Sequence, residues 1–376
     1  MEIGVLKETY AGETRVPLVP FAAGELVRQG NRVVIESEAG VGSGFDDQAY
    51  RDAGCTIVYS AEEVVGRSRL VLKVIPPSID EVRRLEEGKI LFSFLQLSNA
   101  PRAVVEHLVH RRVTAIGLEA IEEEGGDRPV LTAMSEIAGK LAIPIAAHYL
   151  QSRQGGRGVM LDGIPGVPPG IVVVLGAGVV GATAAIRAAS VGTQVIVLDM
   201  DVERLRRLVA RAPAIITALA TPYNVERFVP IADVLIGAVL IQMETTPHIL
   251  DDRLVRTMRP RSVFLDISID QGGCSTTSRP TTILDPTYVK EGVVHFCVPN
   301  IPALVPRTAT AALSNIILPY LEEIARVGPD RVLEEDPVLA RGVYTHDGFC
   351  LKRKIASVLD LPYRSAERAR SVDVAR

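Results

Sequence analysis

The stretch "IVVVLGAGVVGATAAIRAASVGTQVIVLD", residues 171–199, decides the fold of this chain. It places Gly176, Gly178 and Gly181 directly after a β-branched run and at the start of an Ala-rich segment. The first glycine permits a tight turn, the second lets the backbone approach a pyrophosphate, and the third lets helix pack on strand. Free N–H groups at the helix start then face the phosphates, beside Val180. The stretch predicts a dinucleotide-binding strand, turn and helix.

The residue that ends the next strand supports this interpretation. Asp199 lies 18 positions after Gly181 (199 minus 181). A carboxylate there accepts hydrogen bonds from the ribose 2′-OH and repels a 2′-phosphate, so NAD is favoured over NADP. Arg204 lies close enough in sequence to soften that repulsion. The alternative is a Rossmann sheet whose glycine turn binds nothing.

The remainder of the chain extends this unit into a two-domain α/β protein. The length of 376 residues suggests about two domains. Short β-rich runs alternate with amphipathic helical stretches before residue 130, and such alternation favours a parallel sheet with crossover helices. The strands predicted there are Ile3–Leu6, Arg32–Glu36, Leu70–Val74, Ile90–Leu95 and Val113–Leu118, and the helices are Ala22–Gln29, Asp46–Ala53 and Arg102–His110.

Two long helical patterns separate the alternating sets. One covers residues 134–151, with Ser135 near its N-terminus and Pro144 inside it, and the other covers residues 307–328, followed by mostly helical sequence to the end. We therefore predict two Rossmann-like domains with parallel sheets, joined by two long helices around an interdomain cleft. Residues 1–132 with 307–376 form a discontinuous substrate domain, and residues 133–306 form the NAD-binding domain.

Composition excludes several classes of function. The net charge of −4 argues against a nucleic-acid partner, because phosphate-binding surfaces are basic. The longest apolar run, residues 170–186, is short for a membrane span and carries four glycines. The start "MEIGVLKET" does not read as a signal peptide. Four widely spaced cysteines suggest no metal site and no disulfide framework. The chain reads as a cytoplasmic protein with a small-molecule substrate.

Further motifs carry a family resemblance over nearly the whole chain. They are "TRVPL", "MSEIAGK", "QGGRGV", "GIPGVPP", "DISIDQGG" with "SRPTT", "CVPN" and "ARGVYTHDG". With the glycine turn, they resemble the alanine dehydrogenase family, which is related to the soluble transhydrogenase subunit. The resemblance implies reversible oxidative deamination of L-alanine to pyruvate and ammonia, with hydride passed to NAD. It also implies a homo-oligomer, a hexamer by resemblance, with a dimer as the alternative.

The resemblance assigns three residues to the substrate. Arg15 corresponds to the arginine that binds the carboxylate, and its alternative is a surface salt bridge. By resemblance, Lys73, in the apolar run "LVLKV", contacts the substrate carboxylate and carbonyl. An unpaired ammonium within a strand would be costly, which favours a lysine at the strand end that faces a cleft. Asp270 is the acid/base or ion-pairing carboxylate near nicotinamide, and its alternative is a loop cap.

The resemblance also assigns the walls of the cofactor site. These residues are expected to supply apolar surfaces and backbone contacts for nicotinamide and ribose. They are Ser135, Val239, Leu240, Ile269 and Asn300.

One position breaks the family pattern. In "LFSFLQLS", Gln96 stands where the family carries a histidine. An amide can hydrogen-bond a carbonyl but cannot transfer a proton near neutral pH. General acid–base assistance is typically worth about 10²- to 10⁴-fold, so proton transfer would pass to Asp270 or water. A buried structural amide is the alternative for Gln96.

Other departures lie beside the same residues. Thr14 precedes Arg15, Ile75 and Pro76 follow Lys73, and "LIQMETTP" occupies residues 240–247. Three hypotheses therefore stand: alanine and pyruvate turnover, NAD(H)-dependent turnover of another 2-oxo acid, amino acid or imine, and an NAD-binding protein without dehydrogenase activity.

Overall fold

The computed structural model describes residues 1–239 and 248–365. Contacts divide the chain into two compact units, of which one contains residues 1–134 and the chain from Val305 onward. We name it the terminal unit. The other, the central unit, is Ser135–Leu304.

The strands and helices are numbered in chain order. The strands are β1 (Glu2–Val5), β2 (Arg32–Glu36), β3 (Thr56–Val58), β4 (Leu70–Leu72), β5 (Ile90–Ser93), β6 (Thr114–Gly117), β7 (Ile171–Leu175), β8 (Gln194–Asp199), β9 (Ile216–Leu219), β10 (Val234–Gly237), β11 (Val263–Asp266), β12 (Thr287–Lys290), β13 (Val293–Phe296), β14 (Val343–His346) and β15 (Phe349–Cys350). The helices are α1 (Pro20–Arg28), α2 (Asp47–Asp52), α3 (Ala61–Arg67), α4 (Ile79–Arg83), α5 (Arg102–His110), α6 (Pro129–Tyr149), α7 (Val179–Ser190), α8 (Val202–Arg211), α9 (Pro222–Phe228), α10 (Asp252–Arg256), α11 (Pro306–Val327), α12 (Pro329–Glu335), α13 (Pro337–Gly342) and α14 (Arg353–Leu359).

Both units are built on a mostly parallel sheet, which confirms the predicted α/β class. The terminal sheet has the order β15-β14-β6-β5-β4-β1-β2-β3, and the central sheet has the order β12-β13-β11-β10-β7-β8-β9. The strand order reverses between β1 and β4 in one sheet and between β7 and β10 in the other. Ligands of open α/β sheets bind beyond the carboxyl ends of the strands at such reversals.

The sheets are mixed, which corrects the expectation of wholly parallel strands. β12 pairs with β13 antiparallel, and β14 pairs antiparallel with both β6 and β15. The hairpin of β14 and β15 also interrupts the mostly helical sequence expected after α11. Its turn is Asp347-Gly348, with φ values of +44° and +82°. Asp-Gly with positive φ at both positions is a favoured two-residue hairpin turn.

The continuous apolar run of β7 is explained by burial on both faces of its sheet. Val172 and Val174 pack in a core with alanines of α6 and α7, such as Ala142 and Ala184. Val173 and Leu175 pack in a second core on the opposite face. Parallel strands covered on both faces lose the alternation of polar and apolar residues.

The long helix α6 begins earlier than predicted, at Pro129 rather than residue 134. Proline is favoured in the first helical turn because its missing N–H would have no partner there. Ser135 therefore lies in the second turn instead of near the N-terminus. Helix α11, by contrast, begins and ends within one residue of the predicted 307–328.

Within the described residues, α6 is also the one helix long and apolar enough, by those criteria alone, to cross a membrane. Its Ala138, Ala142 and Ile143 lie in a core cluster of the central unit.

Candidate functional site

The glycine turn of the central unit has the geometry of a phosphate cradle. Gly176 has a φ of +100°, and a Cβ there would lie 2.4 Å from the Ala238 carbonyl oxygen. A Cβ on Gly181 would lie 1.9 Å from the Gly176 carbonyl oxygen. A Cβ on Gly178 would meet nothing within 4 Å. Gly178 caps the N-terminus of α7, next to Val179 and the half-buried Val180, so open space faces the N–H groups that attract phosphate.

Asp199 ties the end of β8 to this turn. Its Oδ2 accepts a hydrogen bond from the Ala177 N–H at 2.5 Å, and its Oδ1 accepts one from the Asp201 N–H at 2.7 Å. The Arg204 guanidinium lies 3.9 Å from the Asp199 carboxylate and 3.5 Å from that of Asp201. A carboxylate has about four lone-pair sites, so Asp199 can accept further hydroxyl donors while it holds the turn.

The loops that follow β10 and β11 are joined by a hydrogen bond. The Val239 N–H donates to the Ser268 hydroxyl oxygen at 3.0 Å. Ser268, the buried Ile269 and the exposed Asp270 lie in one 3₁₀ turn, Ile267–Gln271. Asp270 is thus four residues beyond the end of β11 at Asp266.

The remaining residues predicted to contact the cofactor are Asn300, Ser135 and Leu240. Asn300 follows β13, has a φ of +58°, and accepts a hydrogen bond from the Ala303 N–H through its carbonyl. Ser135 is half-buried in α6. Leu240 and the rest of the "LIQMETTP" stretch lie outside the described residues.

Asp266 was not identified from the sequence, yet it holds the loop of Asp270. Its carboxylate accepts hydrogen bonds from the N–H groups of Ser268 and Cys274, at 3.1 and 2.8 Å, and from the Ser278 hydroxyl at 2.5 Å. Burial raises the pKa of Asp266, an effect that these donors oppose. Asp266 could have been found from its position, since it ends strand β11 at the carboxyl edge of the sheet, where ligands bind.

In the terminal unit, Lys73 lies directly after β4 and is 1% exposed. Its Nζ donates to Glu8 Oε2 and to Glu81 Oε1, both at 2.8 Å. Burial would lower the pKa of Lys73, but the two carboxylates outweigh it and raise the pKa. Lys73 is therefore a charged ammonium at the reversal of strand order.

Glu8 is a second residue that sequence reasoning missed. It follows β1, the neighbour of β4, and its Oε1 also accepts a hydrogen bond from the Val74 N–H at 2.6 Å. Burial raises the pKa of Glu8, and the Lys73 ammonium offsets part of that rise. The contact joins residues 65 positions apart.

Arg15 is a buried residue, 3% exposed, and not a surface salt bridge. Its Nε and Nη2 donate to the two carboxylate oxygens of Glu13, at 2.8 and 2.7 Å. Its Nη1 lies 3.5 Å from the Met134 sulfur. Besides burial, the Glu13 carboxylate contributes to the raised pKa of Glu8.

Gln96 lies three residues beyond β5, which ends at Ser93 and not at residue 95 as predicted. Its side chain is exposed, so the alternative of a buried structural amide is wrong. Its backbone has a φ of +44°, and its N–H donates to the carboxylate of Glu119 at 2.8 Å.

Comparison with known proteins places this geometry in a family. The alanine dehydrogenase/PNT N-terminal domain matches residues 4–138, and the alanine dehydrogenase/PNT C-terminal domain matches residues 142–353. The chain belongs to the alanine dehydrogenase/PNT family. Its two domain matches together span nearly all of the described chain.

Relatives of this family are similar over their full length. The alanine dehydrogenase of Mycobacterium tuberculosis strain H37Rv is 41% identical over 96% of this chain and 98% of its own. That of Bacillus subtilis strain 168 is 40% identical over 98% of this chain and 97% of its own. A solved L-alanine dehydrogenase has a TM-score of 0.90 at 42% identity, covering 96% of this chain and 99% of its own.

A transhydrogenase from Sinorhizobium meliloti shares the fold more distantly. Its TM-score is 0.79 at 21% identity, with 94% of this chain and all of that chain covered. The fold of this chain is thus shared with a protein named transhydrogenase.

Proposed function

We propose that this chain catalyses the reversible oxidative deamination of L-alanine to pyruvate and ammonia with NAD. The observation that carries the proposal is full-length similarity, near 40% identity, to proteins named alanine dehydrogenase. The strand-end ion pairs and the glycine turn are compatible with it. We also propose that the terminal unit binds the substrate and the central unit binds the nucleotide.

The central unit has residues suited to a dinucleotide. The open space at Gly178 and the N-terminus of α7 would accept the pyrophosphate. Asp199 would accept the ribose hydroxyls, which favours NAD over NADP. Val239 and Ile269 would line the nicotinamide pocket. NAD, when bound, supplies the hydride acceptor for this reaction.

The terminal unit has residues suited to a small amino or 2-oxo acid. Within the described residues, two of the three N–H donors of Lys73 have partners, Glu8 and Glu81, and we assign the third to a substrate oxygen. Arg15 adds positive charge for the substrate carboxylate. Gln96 would donate its amide N–H to the carbonyl oxygen. Asp270, a residue of the central unit, would exchange protons with the substrate nitrogen or with water.

A second candidate function is turnover of a different 2-oxo acid, amino acid or imine. The exposed Gln96 favours it, because an amide replaces the proton carrier of the family. Ile75, whose N–H lies 3.3 Å from Glu8 Oε1, is a further departure next to Lys73.

We further propose a cytoplasmic homo-oligomer. A cytoplasmic location agrees with four buried free thiols, Cys55, Cys274, Cys297 and Cys350. Light scattering of the purified chain would measure the assembly, and a monomer at all concentrations would contradict it.

The function is tested by adding pyruvate, ammonium and NADH to the purified chain and following NADH absorbance, with a panel of other 2-oxo acids in parallel. We expect ammonium-dependent oxidation of NADH that Lys73→Met and Asp270→Asn each abolish. Exposed Arg206→Met is the matched control and should keep full activity. Faster turnover of another 2-oxo acid would favour the second candidate, and oxidation unaffected by either site variant would refute the site assignment.

A further inference from the structure

The backbone of Gln96 adopts a conformation that glutamine rarely occupies. A φ of +44° lies in the left-handed region, where a side chain crowds the following carbonyl. Such conformations persist only where surrounding contacts hold them, and they concentrate at functional sites. The contacts that hold the Gln96 backbone therefore fix the position from which its side chain extends.

Those contacts converge on the carboxylate of Glu119. Glu119 follows β6, the neighbour of β5, and its two oxygens accept hydrogen bonds from consecutive N–H groups, those of Leu95 at 3.1 Å and Gln96 at 2.8 Å. Its Oε1 also accepts from the Tyr344 hydroxyl at 2.9 Å. One carboxylate thus fixes the left-handed bend and is itself anchored from β14.

The surroundings of Glu119 keep it in place. Tyr344 is buried, and the Lys352 ammonium lies 5.3 Å from the centre of its ring. A Cβ on Gly117 would lie 2.4 Å from the Tyr344 ring and 3.0 Å from Glu119 Oε1, so only glycine fits beside them. Burial raises the pKa of Glu119, and the hydrogen bonds to its oxygens oppose that rise.

We propose that Glu119 is the positioning residue that aims the Gln96 amide at the substrate carbonyl and so tunes the choice of 2-oxo acid. The proposal rests on the function proposed above. Glu119 bonds the backbone of Gln96, and therefore it acts through that residue and not on the substrate. Its removal should impair recognition of the 2-oxo acid and leave NADH affinity unchanged.

A double-mutant cycle tests this role. Glu119→Gln keeps the shape but loses charge and one acceptor, and it should lower kcat/KM for the 2-oxo acid about 10- to 100-fold in the natural chain. In a Gln96→Ala background, the same change should have no further effect, because the group it positions is absent. Titration of NADH fluorescence should give one Kd for all four proteins.

Tyr344→Phe provides a second variant in case Glu119→Gln does not fold. It removes one anchor of Glu119 and should lower kcat/KM severalfold, again only where Gln96 is present. Equal losses in both backgrounds would overturn the positioning role and leave a structural one.

Calorimetric binding of pyruvate, measured on the same four proteins, separates this proposal from the proposed function. Absence of both turnover and 2-oxo acid binding in the natural chain would refute the function and the positioning role together. If the natural chain turns over or binds the 2-oxo acid, but the effects of Glu119→Gln and Gln96→Ala on kcat/KM are additive, the positioning role alone is refuted.

Discussion

The glycine turn allows a prediction that separates folding from cofactor binding. Two single substitutions, Gly178→Ala and Gly181→Ala, add the same methyl group to residues three positions apart. The new Cβ at Gly178 has no neighbour within 4 Å, whereas the new Cβ at Gly181 lies 1.9 Å from a backbone oxygen and 3.2 Å from a Val174 methyl. Gly178→Ala should therefore weaken NADH binding, and Gly181→Ala should destabilise the fold.

The magnitudes follow from those distances. Ordinary contact begins near 3.4 Å, so the Cβ of Gly181→Ala needs about 1.5 Å more separation from the Gly176 carbonyl oxygen (3.4 minus 1.9). The cost should reach the upper end of overpacking effects, about 3 kcal/mol. Gly178 has a φ of −67°, which alanine adopts freely, so stability should change by less than about 1 kcal/mol. A methyl group against the pyrophosphate should cost about 1 to 3 kcal/mol, a roughly 5- to 150-fold weaker Kd for NADH.

Two assays measure these effects independently. Urea unfolding followed by circular dichroism should show a large loss of stability for Gly181→Ala and a near-normal midpoint for Gly178→Ala. Because the chain has no tryptophan, NADH fluorescence can be titrated directly. Unchanged NADH affinity in Gly178→Ala would refute the placement of the pyrophosphate at this turn.

Three further predictions concern proton transfer, buried charge and pH. Gln96→His should raise the rate with pyruvate by about 10²- to 10⁴-fold where proton transfer limits turnover, and an unchanged rate in the NADH assay would contradict that limit. Lys73→Met removes the ammonium partner of the buried Glu8 carboxylate and of the half-buried Glu81 carboxylate. It should lower the free energy of unfolding by about 3 to 5 kcal/mol, and a loss below about 1 kcal/mol in urea unfolding would contradict this. Burial lowers the pKa of His295, so the unfolded state binds its proton more tightly and stability falls as pH drops below about 6.5. One proton limits the slope to about 1.4 kcal/mol per pH unit, and the slope should flatten in His295→Gln. An identical slope in that variant would exclude this residue.

The repeated α/β pattern of the fold was predictable because it follows from hydrophobic runs and glycine chemistry. The 171–199 unit, α11 and five of the eight strands of the terminal sheet were found from such local signals. Those strands are β1, β2, β4, β5 and β6. The C-terminal hairpin was missed even though "THDGF" contains its Asp-Gly turn, because β15 is only two residues long. The early start of α6 was missed because the helix signal was assigned to Ser135 instead of Pro129.

The candidate site was predictable only in part, because its ion pairs join distant residues. Lys73 stood out as a cation in an apolar run, but Glu8, 65 positions away, became its partner only through the pairing of β1 with β4. Glu119 likewise contacts Gln96 across 23 positions. Carboxylates at strand ends are common in α/β proteins, so sequence alone did not distinguish Glu119 and Asp266 from solvent-exposed acids. The left-handed backbone of Gln96 could not be predicted from its residue type, because glutamine rarely adopts a positive φ.

The central claim is that this chain transfers hydride between NADH and the 2-carbon of a small amino or 2-oxo acid. The most direct measurement supplies NADH deuterated at the transferable position, with pyruvate and ammonium, and analyses the products by mass spectrometry and chiral chromatography. We expect L-alanine that carries deuterium on its 2-carbon. NADH binding without transfer of the label to pyruvate or to any other 2-oxo acid would contradict it.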